Sequence, residues 1–524
     1  MDSAQPVPNL TRRRALLAVG LAILTFALYL PASGFEFVDY DDDLLITSVP
    51  QVRDGLSPEG VRWAFTTLQA ANWFPLTRLS WMLDIELFGL APGPLHRTNA
   101  LLHSLAAGLL LLALVRLTGD DWKSAWVAAV FAFHPLHVES VAWVAARRDV
   151  LSGVFAAASL LAYASAARRG GVGRHALVFG LVAAGLMSKA TLIVWPFVFL
   201  LLDVWPLRRL HEHGRLSSAR IAAVLREKLP LFALVATLAV LTVVAQARSD
   251  ALRSLEHFPL WVRGANALAS LLAYSADAFW PQDLAVFYPH PGIEVSLVAA
   301  AGGVALLALG AGLAIAAWQR APAVAIGGLW YLIALAPVIG IVQVGQAARA
   351  DRYAYLPLIG LALALAWGVA ALAKGRARRT VALGGIVALI ALAAVSRVQL
   401  ETWRDSERLF QHALRVTERN HVAHINLAAT LSRSERLEDA SAHLNAALRI
   451  APASSVALGL LGDVRVRQER LDEGIRLYRQ ALVIDPESRR WRLGLTRALL
   501  FRGDSEEALR LFQAMTDQAS RSER

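Results

Sequence analysis

"FAFHPLHVESVAWVAARRDVL" occupies Phe131–Leu151. Apolar residues flank it on both sides, and its middle carries two histidines, a proline, a glutamate and an Arg-Arg-Asp run. In a soluble chain this would be an ordinary core helix with a charged end. Here it lies between apolar stretches near 122–141 and 150–167. Each is long enough to cross a bilayer at about 1.5 Å of rise per residue.

Nine further stretches read the same way, near 15–30, 99–117, 175–189, 190–206, 229–247, 294–318, 322–342, 354–373 and 380–397. The pair covering 175–206 also reads as one broken hairpin. Mean hydropathy is +0.46 with 18% charged residues, a balance that belongs in a membrane. The expected fold class is all-α: a polytopic helical bundle with about eleven crossings. Basic connections, "ARRGGVGRH", "PLRRLHEHGR", "WQRAP" and "KGRARR", mark a cytoplasmic side. Arg12–Arg14 place the N-terminus there too, as an uncleaved first helix rather than a signal peptide. The net charge of +11 is then positive-inside bias, and nucleic-acid binding is not expected. With no cysteine, disulfides, zinc-thiolate sites and thiol nucleophiles are excluded.

This topology turns 31–97, 142–149, 248–293 and 343–353 outward, with amphipathic 261–280 lying in the interface. Three outward stretches carry chemistry. "DYDDD" (39–43) packs four carboxylates together. Such a group holds a proton donor-acceptor or a divalent cation (Mg, Mn or Ca), or simply forms a solvated acidic loop. His134, His137 and Glu139 sit at one helix end, in no standard zinc spacing. Arg147 and Arg148 fall outside against the charge bias, so they are candidates for an anionic headgroup, or snorkel to lipid. Arg349, Asp351, Arg352 and Tyr353 form a further anion-binding group, unless Asp351 neutralises an arginine. Lys189 is a phosphate contact or an anchor. No nucleotide-binding or hydrolase motif stands in a convincing place, and none of the paired broken helices of a transporter is seen.

From Glu401 the composition turns charged and helical with a 34-residue period. Ala413, Ala447 and Ala481 keep it, as do Ala440, Gly474 and Ala508, and Leu444, Tyr478 and Phe512. That is the tetratricopeptide signature over a half repeat, two good repeats and a degenerate last one. The expected division is a membrane domain over 1–400 and a repeat domain over 401–524.

Taken together, the acidic first loop, "HPLHVESVAWVAARRDVL", "DRYAYLPLIG" and the repeats resemble the transmembrane and tetratricopeptide-repeat-containing (TMTC-type) protein O-mannosyltransferases and their bacterial relatives. The resemblance implies a GT-C glycosyltransferase fold, a polyprenyl-phosphate sugar donor, a protein or glycan acceptor and no nucleotide cofactor. It places the general base or metal ligand at Asp41 and Asp42, with Asp43 adjacent. Arg148, Arg352 and Lys189 are expected at the donor phosphate. His134, His137, Glu139, Asp149, Asp351 and Tyr353 are expected in support or at a metal. The setting implied is a bacterial inner membrane with periplasmic repeats, and a protein partner bound through them. The chain has fewer repeats than such relatives usually carry, which leaves recognition of a protein acceptor through them open. The competing reading is a membrane scaffold without enzymatic activity, and a lipid-linked-sugar flippase is a third.

Overall fold

The computed structural model describes residues 8–212, 215–247 and 258–522; part of the outward stretch 248–293, residues 248–257, lies outside them. The described chain is helical apart from a few two- and three-residue strands. It divides into two compact units, one of residues 1–284 with 290–404 and the other of residues 285–289 with 405–524.

In the first unit six helices are long and apolar enough to cross a membrane. They are Arg12–Gly34, Pro92–Thr118, Val144–Arg169, Ser218–Ala247, Leu297–Ala317 and Ala377–Glu401. Four shorter apolar helices, Val172–Ser188, Ala190–Val204, Pro322–Leu335 and Pro357–Leu372, fall on the remaining expected spans. The span expected at 122–141 is instead a bent pair, Asp121–Phe133 and Pro135–Ala142, turning by 54°. Pro135 causes the bend, because it has no N–H to continue the ladder and pushes His134 out of helical geometry. The His134 ring then accepts the N–H of Leu136 at 3.2 Å and caps the new turn. The outward stretch 142–149 is likewise wound into helical turns rather than left as a loop, with a long helix already under way at Arg147.

Leu297, Val298, Leu309 and Ile315 on one helix are exposed, as are Leu383, Val387 and Ile390 on another. Such uninterrupted apolar faces suit contact with lipid, where each helix satisfies its own backbone. Inside the unit small residues set the packing. An added Cβ at Gly327 would strike the carbonyl of Gly360, and one at Gly360 the backbone of Gly327 and Tyr331. These two helices therefore cross at backbone contact distance, which membrane bundles favour because apolar tails give no hydrophobic gain for larger side chains.

The two ends of the bundle differ. At one, Arg14 bonds Asp121 at 2.9 Å, Arg168 bonds the last carbonyls of Pro92–Thr118, and Lys123 lies over the Trp367 ring at 5.3 Å. The opposite end gathers the loop after the first helix, the bend at His134, the start of the helix at Arg147, Lys189, and the stretch Ala350–Tyr355. Glu36 N–H donates to the Arg404 carbonyl at 3.0 Å there.

In the second unit Ser406–Val416 is followed by the helix pairs His421–Arg433 with Leu437–Ile450, Ser455–Arg467 with Leu471–Ile484, and Arg489–Arg502 with Ser505–Ser522. Ala413, Ala447, Ala481, Ala440 and Ala508 are all buried at helix contacts. Phe512, the last member of the Leu444–Tyr478 series, is 51% exposed.

Candidate active site

The polar face of helix Pro92–Thr118 builds the site's frame. Asn99 donates to the carbonyls of Val141 and Trp143 at 3.3 and 3.0 Å, and the His96 ring lies 3.2 Å from the Glu36 carbonyl. These side chains take up backbone groups freed where the helix is interrupted. His103 reaches the Tyr355 hydroxyl at 2.8 Å. Arg147 is fully buried and closes the frame: it pairs with Asp84 at 2.5 Å and donates to Asn99 Oδ1, Ser80 O and Leu95 O at 2.8, 3.1 and 2.7 Å. Every direction of its fork is used, so Arg147 is structural.

Asp42 is also buried. One carboxylate oxygen accepts Ala145 N–H at 2.8 Å and the other Val38 N–H at 3.0 Å. Burial pushes its carboxyl up to about 8, against the pull of those two donors. Asp41 precedes it with φ +69°, a left-handed conformation that costs a non-glycine residue energy and here turns the chain at the loop's edge. Asp41 is partly exposed and Asp43 and its neighbour Leu44 are exposed. The acidic run therefore divides: Asp42 is the buried anchor, and Asp41 and Asp43 on either side of it keep accessible surface.

The cations converge on Trp143, which is stacked on Trp403 at 6.0 Å and packed by Tyr40 at 5.2 Å. Arg148 and Arg352 lie over its ring at 5.7 and 5.3 Å. Arg352 forms an ion pair with Glu139, whose other oxygen accepts Arg352 N–H at 2.7 Å, and also lies 5.2 Å from the Tyr353 ring. Glu139 beside it holds the Arg352 guanidinium well above the usual range. Lys189 pairs with Asp149 and feels the charges of Arg148 and Arg352. Arg148 differs from all of these. Among the described residues it makes no ion pair, and its buried Nε donates to nothing. A buried guanidinium N–H without an acceptor is costly, and a ligand anion would satisfy it.

The expected residues thus come together at one end of the bundle, with two exceptions. His134 donates or accepts at the Ala278 carbonyl, 3.0 Å away, and His137 at the Phe131 carbonyl, 2.6 Å away. Both rings are buried in the helix break and directed to different partners, so they do not meet with Glu139 around one ion. Among the described residues no group of three histidine or acidic side chains stands ready to hold a metal. Arg349 pairs with Asp277. Asp351 is buried beside Tyr274, whose hydroxyl bonds Ala350 on both backbone atoms.

Parts of the chain are similar to known proteins. A tetratricopeptide-repeat family profile matches residues 465–524. Protein O-mannosyl-transferase Tmtc2 of Drosophila melanogaster is 34% identical over 195 residues, covering 34% of this chain and 21% of that protein. The chain is similar to the TMTC O-mannosyltransferases. Mouse TMTC1 is 31% identical over 151 residues, 26% of this chain and 16% of its own. The matched region thus spans about a fifth of the length of these relatives. Among solved structures, ArnT from Cupriavidus metallidurans bound to undecaprenyl phosphate aligns over 93% of this chain and 76% of its own, at 17% identity and a TM-score of 0.32.

Trp143, Trp403, Tyr40, Asp84, Asn99, His103 and Tyr355 were not anticipated from sequence. His96, Asn99 and His103 recur on one face of an otherwise apolar helix, and that spacing is the signal that marks a buried polar partner.

Proposed function

We propose that the protein is a membrane glycosyltransferase that moves a monosaccharide from a polyprenyl-phosphate donor to a protein hydroxyl or another acceptor. Mannose is the sugar its similarity to the TMTC enzymes favours. Arg148 carries the proposal: it is the one cation of the cluster left unpaired among the described residues, and Lys189 and Arg352 stand close by. The acceptor oxygen attacks the anomeric carbon as the carbon–oxygen bond to the phosphate breaks, with inversion. Asp41 takes the acceptor's proton, and the polyprenyl phosphate leaves with its new charge facing Arg148, Lys189 and Arg352. Asp42 holds Asp41 at the helix break. Asp149 and Glu139 keep Lys189 and Arg352 in place. A divalent cation bound by Asp41 and Asp43 would perform the equivalent activation of the acceptor.

The positive-inside bias supports reading the basic end, with Arg14, Lys123 and Arg168, as the cytoplasmic side of a bacterial inner membrane, with the transfer reaction on the periplasmic side. The repeats contain a groove of about 710 Å³ lined by five arginines and one carboxylate, Asp463, suited to presenting a protein partner. The test uses membranes supplied with labelled polyprenyl-phosphate mannose. Asp41→Asn and Arg148→Ala should each abolish labelled product while the protein stays folded. Full transfer by both variants overturns the assignment. Partner capture without transfer by the unaltered protein would make it a scaffold, and donor movement without product a flippase.

A further inference from the structure

The basic end of the bundle holds a second cluster that the transfer reaction does not use. Three segments distant in sequence meet there: the start of helix Asp121–Phe133, the turn Trp205–Arg209, and the connection Gln319–Pro322. Between them lies a cavity of about 290 Å³. Lys123, Arg208 and Arg320 line it, and no carboxylate does. Trp205 and Trp367 meet edge to face at 5.5 Å and form its apolar wall.

The charges there are unevenly matched. Lys123 shares Asp120 at 2.5 Å and lies over the Trp367 ring at 5.3 Å. Arg208 and Arg320 are exposed and form no ion pair among the described residues. Arg208 is held in the left-handed region at φ +53°, which costs energy that a bound anion can offset. Two guanidinium groups and an ammonium around one small cavity match a phosphate, which accepts several charge-assisted hydrogen bonds at once.

The cavity's position decides which phosphate. Its floor is the last turns of Pro357–Leu372, at Trp367, Ala370 and Ala371, and the first of Pro322–Leu335. Both are apolar helices, so an acyl chain would continue from the cavity along them, and tryptophan suits the headgroup level. Basic pockets between helix ends on this side of a membrane favour anionic headgroups. We infer that Lys123, Arg208 and Arg320 form a binding site for the phosphate of an anionic phospholipid, at the opposite end of the bundle from the transfer site. Bound there, the lipid joins the helix pair that crosses at Gly327 and Gly360 to the helix that runs into the bend at His134.

The test measures thermal unfolding of the full-length protein in neutral detergent, with added phosphatidylglycerol, phosphatidylcholine or inorganic phosphate. Phosphatidylglycerol should raise the midpoint by at least about 2 °C more than phosphatidylcholine. Arg208→Glu with Arg320→Glu should erase that difference and leave the phosphatidylcholine baseline unchanged. Native mass spectrometry of the milder Arg208→Gln, Arg320→Gln protein should show loss of retained phosphatidylglycerol, which covers a double reversal that fails to fold. Equal stabilisation by the two lipids, or a lipid-specific shift that survives either double variant, overturns the inference. A shift of the same size with inorganic phosphate overturns it as well, by assigning the site to a soluble anion. Neither readout depends on sugar transfer, so this site and the transfer site can fail separately.

Discussion

Asp42 Oδ1 accepts the N–H of Ala145 at 2.8 Å, a bond across 103 positions of sequence that ties the acidic loop to the interrupted helix. Its other oxygen holds Val38 N–H at 3.0 Å. The residue beside it, Asp41, is partly exposed in a left-handed turn. Two adjacent aspartates thus have different surroundings.

That difference is measurable by substitution. Asp41→Asn should lower transfer by about 10²–10⁴-fold with an unfolding midpoint close to that of the unaltered protein. Asp42→Asn should also cost about 1–3 kcal/mol of stability, because an amide nitrogen then faces a backbone N–H. Differential scanning fluorimetry beside an activity assay separates the two. Equal destabilisation by both would refute the division.

Asp42 also sets a pH dependence. Burial raises its pKa from 3.8 to about 8, so the folded state holds the proton more tightly than the unfolded one. The stabilisation is complete below about pH 4 and declines as pH rises through about 8. The unfolding midpoint of the unaltered protein should fall over that window by more than that of Asp42→Asn. Parallel pH profiles for the two proteins would show that Asp42 does not titrate there.

The neighbouring arginines should behave oppositely. Arg147→Ala leaves Asp84 buried without its partner and should destabilise by about 3–5 kcal/mol. Arg148→Ala should leave the midpoint nearly unchanged and weaken polyprenyl-phosphate binding by roughly ten- to a hundredfold. Isothermal titration with the lipid phosphate in detergent reads the second effect, and unfolding reads the first.

Chelation addresses the role of a cation. In the proposed reaction Arg148, Lys189 and Arg352 face the leaving group, and their charges neutralise the departing phosphate. EDTA should therefore lower transfer by less than about twofold. A loss of about tenfold or more, restored by Mg or Mn, would assign acceptor activation to a metal at the Asp41–Asp43 edge.

Close packing gives a stability prediction in the membrane itself. Gly327→Val places a branched side chain against the Gly360 backbone, and the helices must part. Unfolding in detergent should become easier by at least about 1–3 kcal/mol. An unchanged midpoint would mean that this crossing contributes little.

Hydropathy and a 34-residue period were enough to read the helical class, the apolar helices and the repeats, because both report solvent preference along the chain. The acidic loop, Arg148, Arg352 and Lys189 were legible as candidates for a related reason: charges beside apolar helices are costly enough to need a purpose. Which of two adjacent residues does the work was not legible. Arg147 and Arg148 look alike in sequence and differ only because Asp84, Asn99 and Leu95 surround the first. His134 and His137 read as supporting residues or possible metal ligands, yet Pro135 bends the chain and each ring is taken up by a separate carbonyl. Trp143 carried no signal, since a tryptophan near a membrane surface has many ordinary uses. Its place under two arginines depends on helices that begin some two hundred residues apart. Pairing and desolvation are properties of three-dimensional neighbours, and those neighbours separate a fully paired arginine from one whose buried Nε has no acceptor.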